Sequence, residues 1–185
     1  DYSADLLNLI VPTRANAIGD NPILRAISDR FRGNIYEQGA CLGIPLILIA
    51  IAWTRRHRSE LRARLLAAML GVTCVLALGP YLEIGGHPVS FMPWLLMERV
   101  PLLRSAMPVR LMAFAFLAAA MILTLWISDC ATPRFEKAGG AAFVLLMMLP
   151  NPAASFWASP ARVPAFFSDG SSRRYLSPDD IVLPL

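Results

Sequence analysis

The amino-acid sequence predicts an all-α fold, a polytopic bundle of transmembrane helices that is a fragment of a longer chain. Two observations carry this prediction. The 185 residues are 56% hydrophobic and 16% charged, whereas about 25% of residues are charged in an ordinary soluble domain. Stretches without Asp, Glu, Lys or Arg also recur along the chain, separated by shorter segments that hold most of the arginines. This alternation is typical of proteins whose helices are surrounded by lipid.

Four of these stretches are predicted to cross the membrane, because a spanning helix needs about 20 mainly apolar residues. They lie at about residues 38–54, 65–82, 111–128 and 135–150. The segment at about residues 91–103 holds apolar and aromatic side chains but is too short to cross. It is predicted to form one interfacial or re-entrant helix.

The arginine-rich connection 55–64 predicts the orientation, because cytoplasmic loops collect Lys and Arg. The transmembrane region is predicted to cover residues 37–158. Residues 1–36 then form an extracytoplasmic loop, and residues 159–185 form an extracytoplasmic linker that leads into a missing soluble domain. The two other connections follow by parity, with 129–137 cytoplasmic and 83–110 extracytoplasmic.

Two predicted extracytoplasmic segments carry polar side chains that could bind a ligand. Asp5 and Asn8 share a face if their segment is helical, so they could bind a sugar hydroxyl or a metal. The alternative for Asp5 is a helix cap. Tyr36, next to Glu37 before the first predicted span, fits an interfacial position.

Three arginines near the third predicted span could form an anion clamp. Arg99, Arg104 and Arg110 surround a proline turn, and the guanidinium group binds phosphate through two parallel hydrogen bonds. The alternatives are contacts with anionic lipid head groups, or pairing with Glu98 and Glu83.

Other site classes have weaker support in the sequence. Glu83 and His87 could act as an acid–base pair, although two intervening glycines favour a simple exposed turn. The three cysteines are isolated and no metal-ligand cluster is visible, so neither a cofactor nor a metal is predicted. Nucleic-acid binding is not expected, because the arginines lack a soluble surface with interleaved aromatic residues.

Several short motifs together resemble the later half of bacterial multi-pass GT-C-type glycosyltransferases and the related YfhO-like membrane proteins. They lie at residues 2–13, 43–46, 76–80, 93–94, 102–104 and 108–110. The resemblance covers most of residues 1–125. It implies a bacterial cytoplasmic (inner) membrane protein that moves a sugar from a polyprenyl-phosphate donor to an extracytoplasmic acceptor.

The resemblance also implies roles for individual residues. It places the catalytic acid upstream of this fragment. The donor phosphate would contact Arg104, Arg110 and Arg99, and the acceptor side would include Asp5, Asn8 and Tyr36. The expected partners are membrane lipids and a polyprenyl-phosphate-linked sugar; some relatives use a divalent metal, which nothing in this sequence requires. Two other classes stay open: a transporter or lipid flippase segment, and a non-catalytic membrane scaffold that carries an extracytoplasmic domain.

Overall fold

The computed structural model describes most of the chain. The described residues are 3–33, 35, 38–101, 103, 105–153, 165–169 and 171–175. The chain divides into two compact units, Asp1–Ala153 and Ala154–Leu185. The first unit contains nearly all of the regular secondary structure.

The first unit begins with a segment that packs against the helices that follow it. A 3-10 helix at Leu6–Leu9 precedes the helix α1, Pro22–Ser28. The side chain of Asn21 caps α1 by accepting hydrogen bonds from two backbone N–H groups of its first turn. Ala4 is almost fully buried, and its N–H donates to the carbonyl oxygen of Ala77 at 2.9 Å. Ala4 is therefore part of the core.

Four longer helices form the body of the first unit. They are α2 (Ile44–Arg56), α3 (Leu61–Ala77), α5 (Met112–Ser128) and α6 (Arg134–Met148). A 3-10 turn at Pro108–Leu111 leads directly into α5. Pro108 lies beside Gly79, just past the end of α3, so α5 starts where α3 ends.

The core lies where α5 packs against α2 and α3. One face of α5 is buried at positions spaced three or four residues apart: Ala115, Ala118, Ala119 and Ile122. Alanines let a neighbouring backbone approach closely, and this spacing keeps them on one side of the helix. Ile122 reaches a cluster that includes Trp53 of α2 and Leu66 of α3. Burial of this face therefore holds the three helices together.

A β-hairpin connects α3 to the short helix α4 (Trp94–Met97). Its antiparallel strands are β1 (Tyr81–Ile84) and β2 (His87–Phe91). Gly85 and Gly86 form the turn with φ values of +60° and +80°. A two-residue hairpin turn with positive φ at both positions strongly favours glycine.

The second unit holds two short described elements. The helix α7 covers Ala165–Ser168, and a 3-10 helix covers Ser171–Arg174. The Asp169 carboxylate accepts a hydrogen bond from the N–H of Ser171 at 2.8 Å. The strand expected at residues 181–183 lies outside the described residues.

The predicted fold class, an all-α bundle of four spans, is wrong. The structure contains an antiparallel sheet, and among the described residues the helix at Pro108–Ser128 is the one long and apolar enough to cross a membrane. The core helix of a soluble protein can be equally long and apolar. With 13, 17 and 15 residues, α2, α3 and α6 are only about 20–25 Å long at 1.5 Å per residue. The hydrocarbon core is about 30 Å thick.

The predicted interfacial helix at about residues 91–103 is also wrong. Phe91 ends β2, and α4 has only four residues. Trp94 is buried in the protein, 7% exposed. The predicted span 65–82 overran its helix as well, because α3 ends at Ala77 and the chain turns at Gly79, where φ is +75°.

Candidate functional site

Asp5 is nearly buried and its carboxylate is occupied by backbone groups. Its Oδ1 accepts from the N–H of Leu7 at 2.9 Å and of Gly85 at 3.1 Å, and its Oδ2 accepts from the N–H of Gly86 at 2.7 Å. The first bond makes Asp5 the N-cap of the 3-10 helix Leu6–Leu9. The other two attach the start of the chain to the hairpin turn. Both carboxylate oxygens therefore stabilise the fold by accepting backbone hydrogen bonds.

Asn8 and Ser3 each bury an oxygen that has no hydrogen-bond partner among the described residues. These atoms are the side-chain Oδ1 of Asn8 and the hydroxyl of Ser3. Asn8 is 1% exposed. A buried polar atom without a partner costs about 1–3 kcal/mol. Of the two predicted acceptor-side residues that the structure describes, Asn8 therefore keeps an unpartnered side-chain oxygen, but that oxygen is buried.

Glu83 and His87 point to opposite faces of the hairpin. In the register, Glu83 pairs with Pro88 and His87 pairs with Ile84, so the two side chains are at successive positions of the ladder. Glu83 is buried and its Oε1 lies 3.4 Å from Nη1 of Arg32. His87 is exposed. The two do not form an acid–base pair.

Two of the three predicted phosphate-binding arginines are described. Arg99 and Arg110 are exposed, and neither forms an ion pair with a carboxylate in the described part of the chain. The alternative in which they pair with Glu98 or Glu83 does not occur there. Arg104 and Tyr36 lie outside the described residues.

Arg110 heads a stripe of exposed apolar side chains on α5. Phe114, Leu117 and Met121 follow it four, seven and eleven residues along the chain, and they are about half exposed. This spacing places the apolar side chains on one face of a helix, below the first turn. A cationic group at the end of an apolar stripe is suited to an amphipathic anion, such as a lipid phosphate. We call these four residues the α5 stripe.

A second polar arrangement is centred on His57, to which the sequence reasoning assigned no partner. His57 follows α2, and its Nδ1 lies 2.6 Å from Oε1 of Glu60. Its Nε2 lies 3.2 Å from Oδ2 of Asp129, which follows α5. The i,i+3 spacing of His57 and Glu60 was a signal available in the sequence. The contact with Asp129, 72 residues away, had no such signal.

These contacts shift the pKa of all three side chains. The hydrogen bonds with Glu60 and Asp129 raise the pKa of His57 above its ordinary value. His57 and Arg62 in turn lower the pKa of Glu60. Asp129 also has a lowered pKa, because it accepts a hydrogen bond from the backbone N–H of Ala131 and another from His57. His57 therefore joins the α2–α3 connection to the α5–α6 connection most strongly when it is protonated.

Among the described residues, no group of three or more His, Cys, Asp and Glu side chains could hold a metal ion. Comparisons with protein-family models, curated proteins and solved structures find no match to the chain. The glycosyltransferase resemblance therefore depends on the short sequence motifs alone.

Proposed function

We propose that the chain is part of a membrane glycosyltransferase that moves a sugar from a polyprenyl-phosphate donor to an extracytoplasmic acceptor. The observation that carries this proposal is the α5 stripe. Arg110 is exposed and without a carboxylate partner among the described residues, and it stands at the start of the one described helix that is long and apolar enough to cross a membrane. The guanidinium group would bind the donor phosphate, and the polyprenyl chain would lie along the exposed apolar side chains below it.

The direction of the helix adds to this preference. The aligned peptide dipoles give the start of a helix a partial positive charge. Arg110 lies in the 3-10 turn that precedes α5, so both contributions favour an anion at the same end. The catalytic acid would come from a part of the protein before this chain, as the resemblance implies.

The test is binding of a polyprenyl-phosphate-linked sugar to the full chain in membranes, with the neutral polyprenol as the comparison. Arg110→Ala removes a charge-assisted, two-bond contact and should weaken phosphate-dependent binding by about tenfold or more. Arg110→Lys keeps the charge but loses the planar fork, so its binding should be intermediate. Arg134→Ala, which removes an exposed arginine at the start of α6, is the matched control. Equal binding by the Arg110→Ala and Arg134→Ala variants would contradict the proposal.

A non-catalytic membrane scaffold is the second candidate, and the arrangement around Asp5 favours it. All three hydrogen bonds accepted by that carboxylate come from the backbone, so Asp5 contributes to the fold and not to a free acceptor site. Donor binding without sugar transfer, in a full-length protein with an intact α5 stripe, would support the scaffold over the transferase.

A transporter segment receives less support from the polar residues within the helices. The hydroxyl group of Thr73 donates to the carbonyl oxygen of Met69 at 2.7 Å, and that of Thr124 donates to Ala120 at 2.8 Å. Both hydroxyls are therefore satisfied within their own helix. A substrate pathway more often places unpaired polar or ionisable groups in its wall.

A further inference from the structure

A groove of about 500 Å³ lies between α2 and α3. It is distinct from the α5 stripe, because no residue of the stripe lines it. Ala50, Ile51 and Thr54 of α2 line one side of the groove. Ala67 and Gly71 of α3 line the other side. The i,i+4 spacing within each helix aligns these residues along the shared side. Because most of them are small, the two helices leave open space between them.

Two arginines stand at one end of this groove. Arg55 and Arg58 both line it and are exposed. Neither forms an ion pair in the described part of the chain. The nearby carboxylates are already engaged, since Glu60 pairs with Arg62 and His57 while Asp129 pairs with His57 and lies 3.9 Å from Arg56. The groove therefore ends in two guanidinium groups without a local counter-charge.

The apolar surface continues along α3 beyond the groove. A second depression of about 460 Å³ begins at the same Gly71 and passes Val72, Val75 and Leu76 to reach Pro93. No atom lies within 4 Å of the position that a Cβ on Gly71 would occupy, so the absent side chain leaves the two depressions connected. From Ala67 to Leu76 the helix rises about 14 Å. We call this continuous surface, from Arg55 and Arg58 to Pro93, the α3 track.

We propose that the α3 track binds an anionic phospholipid, with its phosphate at Arg55 and Arg58 and an acyl chain along the apolar floor. Charge complementarity selects this occupant. Guanidinium groups bind phosphate through paired hydrogen bonds. No free carboxylate is described beside them that would hold the ammonium group of a zwitterionic lipid. A purely ionic ligand would leave the apolar part of the track exposed to water. A lipid fits better, because its acyl chain would cover this apolar surface, and burial of apolar surface is favourable.

Spin-labelled phosphatidylglycerol provides the test, with spin-labelled phosphatidylcholine as the neutral-charge comparison. The full chain is placed in phosphatidylcholine vesicles, and the immobilised fraction of each label is measured by electron paramagnetic resonance. The unaltered protein should hold phosphatidylglycerol preferentially. Arg55→Gln combined with Arg58→Gln should reduce that preference by about tenfold or more, to near that of phosphatidylcholine. The double control Arg64→Gln with Arg134→Gln, which removes two other exposed arginines, should retain it.

A second variant tests the apolar part without a change of charge. Gly71→Leu places a side chain where the two depressions meet, and the open space around Gly71 lets α3 accept it. We expect it to reduce immobilised phosphatidylglycerol, whereas Gly139→Leu on α6, which also meets no atom within 4 Å, should not. Inorganic phosphate at millimolar concentration should fail to displace the label.

Four results would overturn the proposal. They are equal immobilisation of the two labels by the unaltered protein, an undiminished phosphatidylglycerol preference in the Arg55→Gln and Arg58→Gln double variant, full retention of phosphatidylglycerol by Gly71→Leu, and displacement by inorganic phosphate. The sugar-donor experiment on Arg110 uses a different lipid and a different end of α3, so failure of either proposal leaves the other intact.

Discussion

Removal of the Asp5 carboxylate should destabilise the first unit strongly. Asp5→Ala leaves the N–H groups of Leu7, Gly85 and Gly86 without their acceptor. An unsatisfied buried donor costs about 1–3 kcal/mol. All three donors are partly buried, so water would replace some of the lost bonds, and we expect a total loss of about 2–4 kcal/mol. For a domain of this size, that corresponds to a melting temperature about 4–16 °C lower.

The assay is thermal unfolding of the full chain under one fixed solvent condition, with two comparison variants. Asp5→Asn keeps Oδ1, which accepts from Leu7 and Gly85, so its loss should be smaller. Asp29→Ala removes an exposed carboxylate and should change the free energy of unfolding by no more than about 0.5 kcal/mol. If Asp5→Ala matches Asp29→Ala in stability while sugar transfer is lost, Asp5 serves a ligand and the structural interpretation is refuted.

Three further substitutions test the loop contacts, a turn and the core. His57→Gln should lower the melting temperature at about pH 6 but have little effect at about pH 9. The hydrogen bond with Glu60 raises the folded-state pKa above 6.5, so the stabilisation is complete below 6.5 and is lost as the pH rises through the raised value. Gly79→Ala should destabilise by about 1–3 kcal/mol, because φ is +75° and the new Cβ would clash with the Ser3 hydroxyl. Ile122→Ala, at a fully buried position, should cost about 2–5 kcal/mol by thermal or denaturant unfolding.

Matched variants separate these effects from general damage. His87→Gln removes the exposed histidine and should show no comparable pH dependence. Gly71→Ala, inside α3 with open space around it, should stabilise by about 0.5–1 kcal/mol. Ile127→Ala is 41% exposed and should cost much less than Ile122→Ala. Indistinguishable results within any of these pairs would contradict the corresponding reasoning.

The main helices lie in the apolar stretches, but their ends depend on local turns and charges. α3 begins at Leu61 and includes Arg62 and Arg64 in its first turns, although both residues had been assigned to a polar connection. It ends four residues before Tyr81 starts a strand. Charge-free stretches indicate apolar composition and do not give the length of a helix. The number of spans was therefore overestimated, because α2, α3 and α6 have only 13, 17 and 15 residues.

The hairpin was within reach of sequence reasoning. Two glycines between short runs rich in strand-forming residues are a recognised hairpin signal, and Gly85 and Gly86 provide it. The predicted span 65–82 instead took in Tyr81 and Leu82, the predicted interfacial helix took in Phe91, and Ile84 and Val89 were left in a connection. Pro88 did not exclude a strand, since proline is tolerated in an edge strand.

The apolar composition, the helical cap at Asp5 as one of two alternatives, and the excess of arginine around residues 55–64 can all be read from the sequence. These properties follow from residue type and from neighbours within one helical turn. The hydrogen bonds of Asp5 with the N–H groups of Gly85 and Gly86, and the contact of Asp129 with His57, are visible only in the folded chain. Such hydrogen bonds join residues more than 70 positions apart. They require the folded chain to bring a donor and an acceptor from distant segments within about 3 Å of each other, and no local pattern in the sequence specifies that.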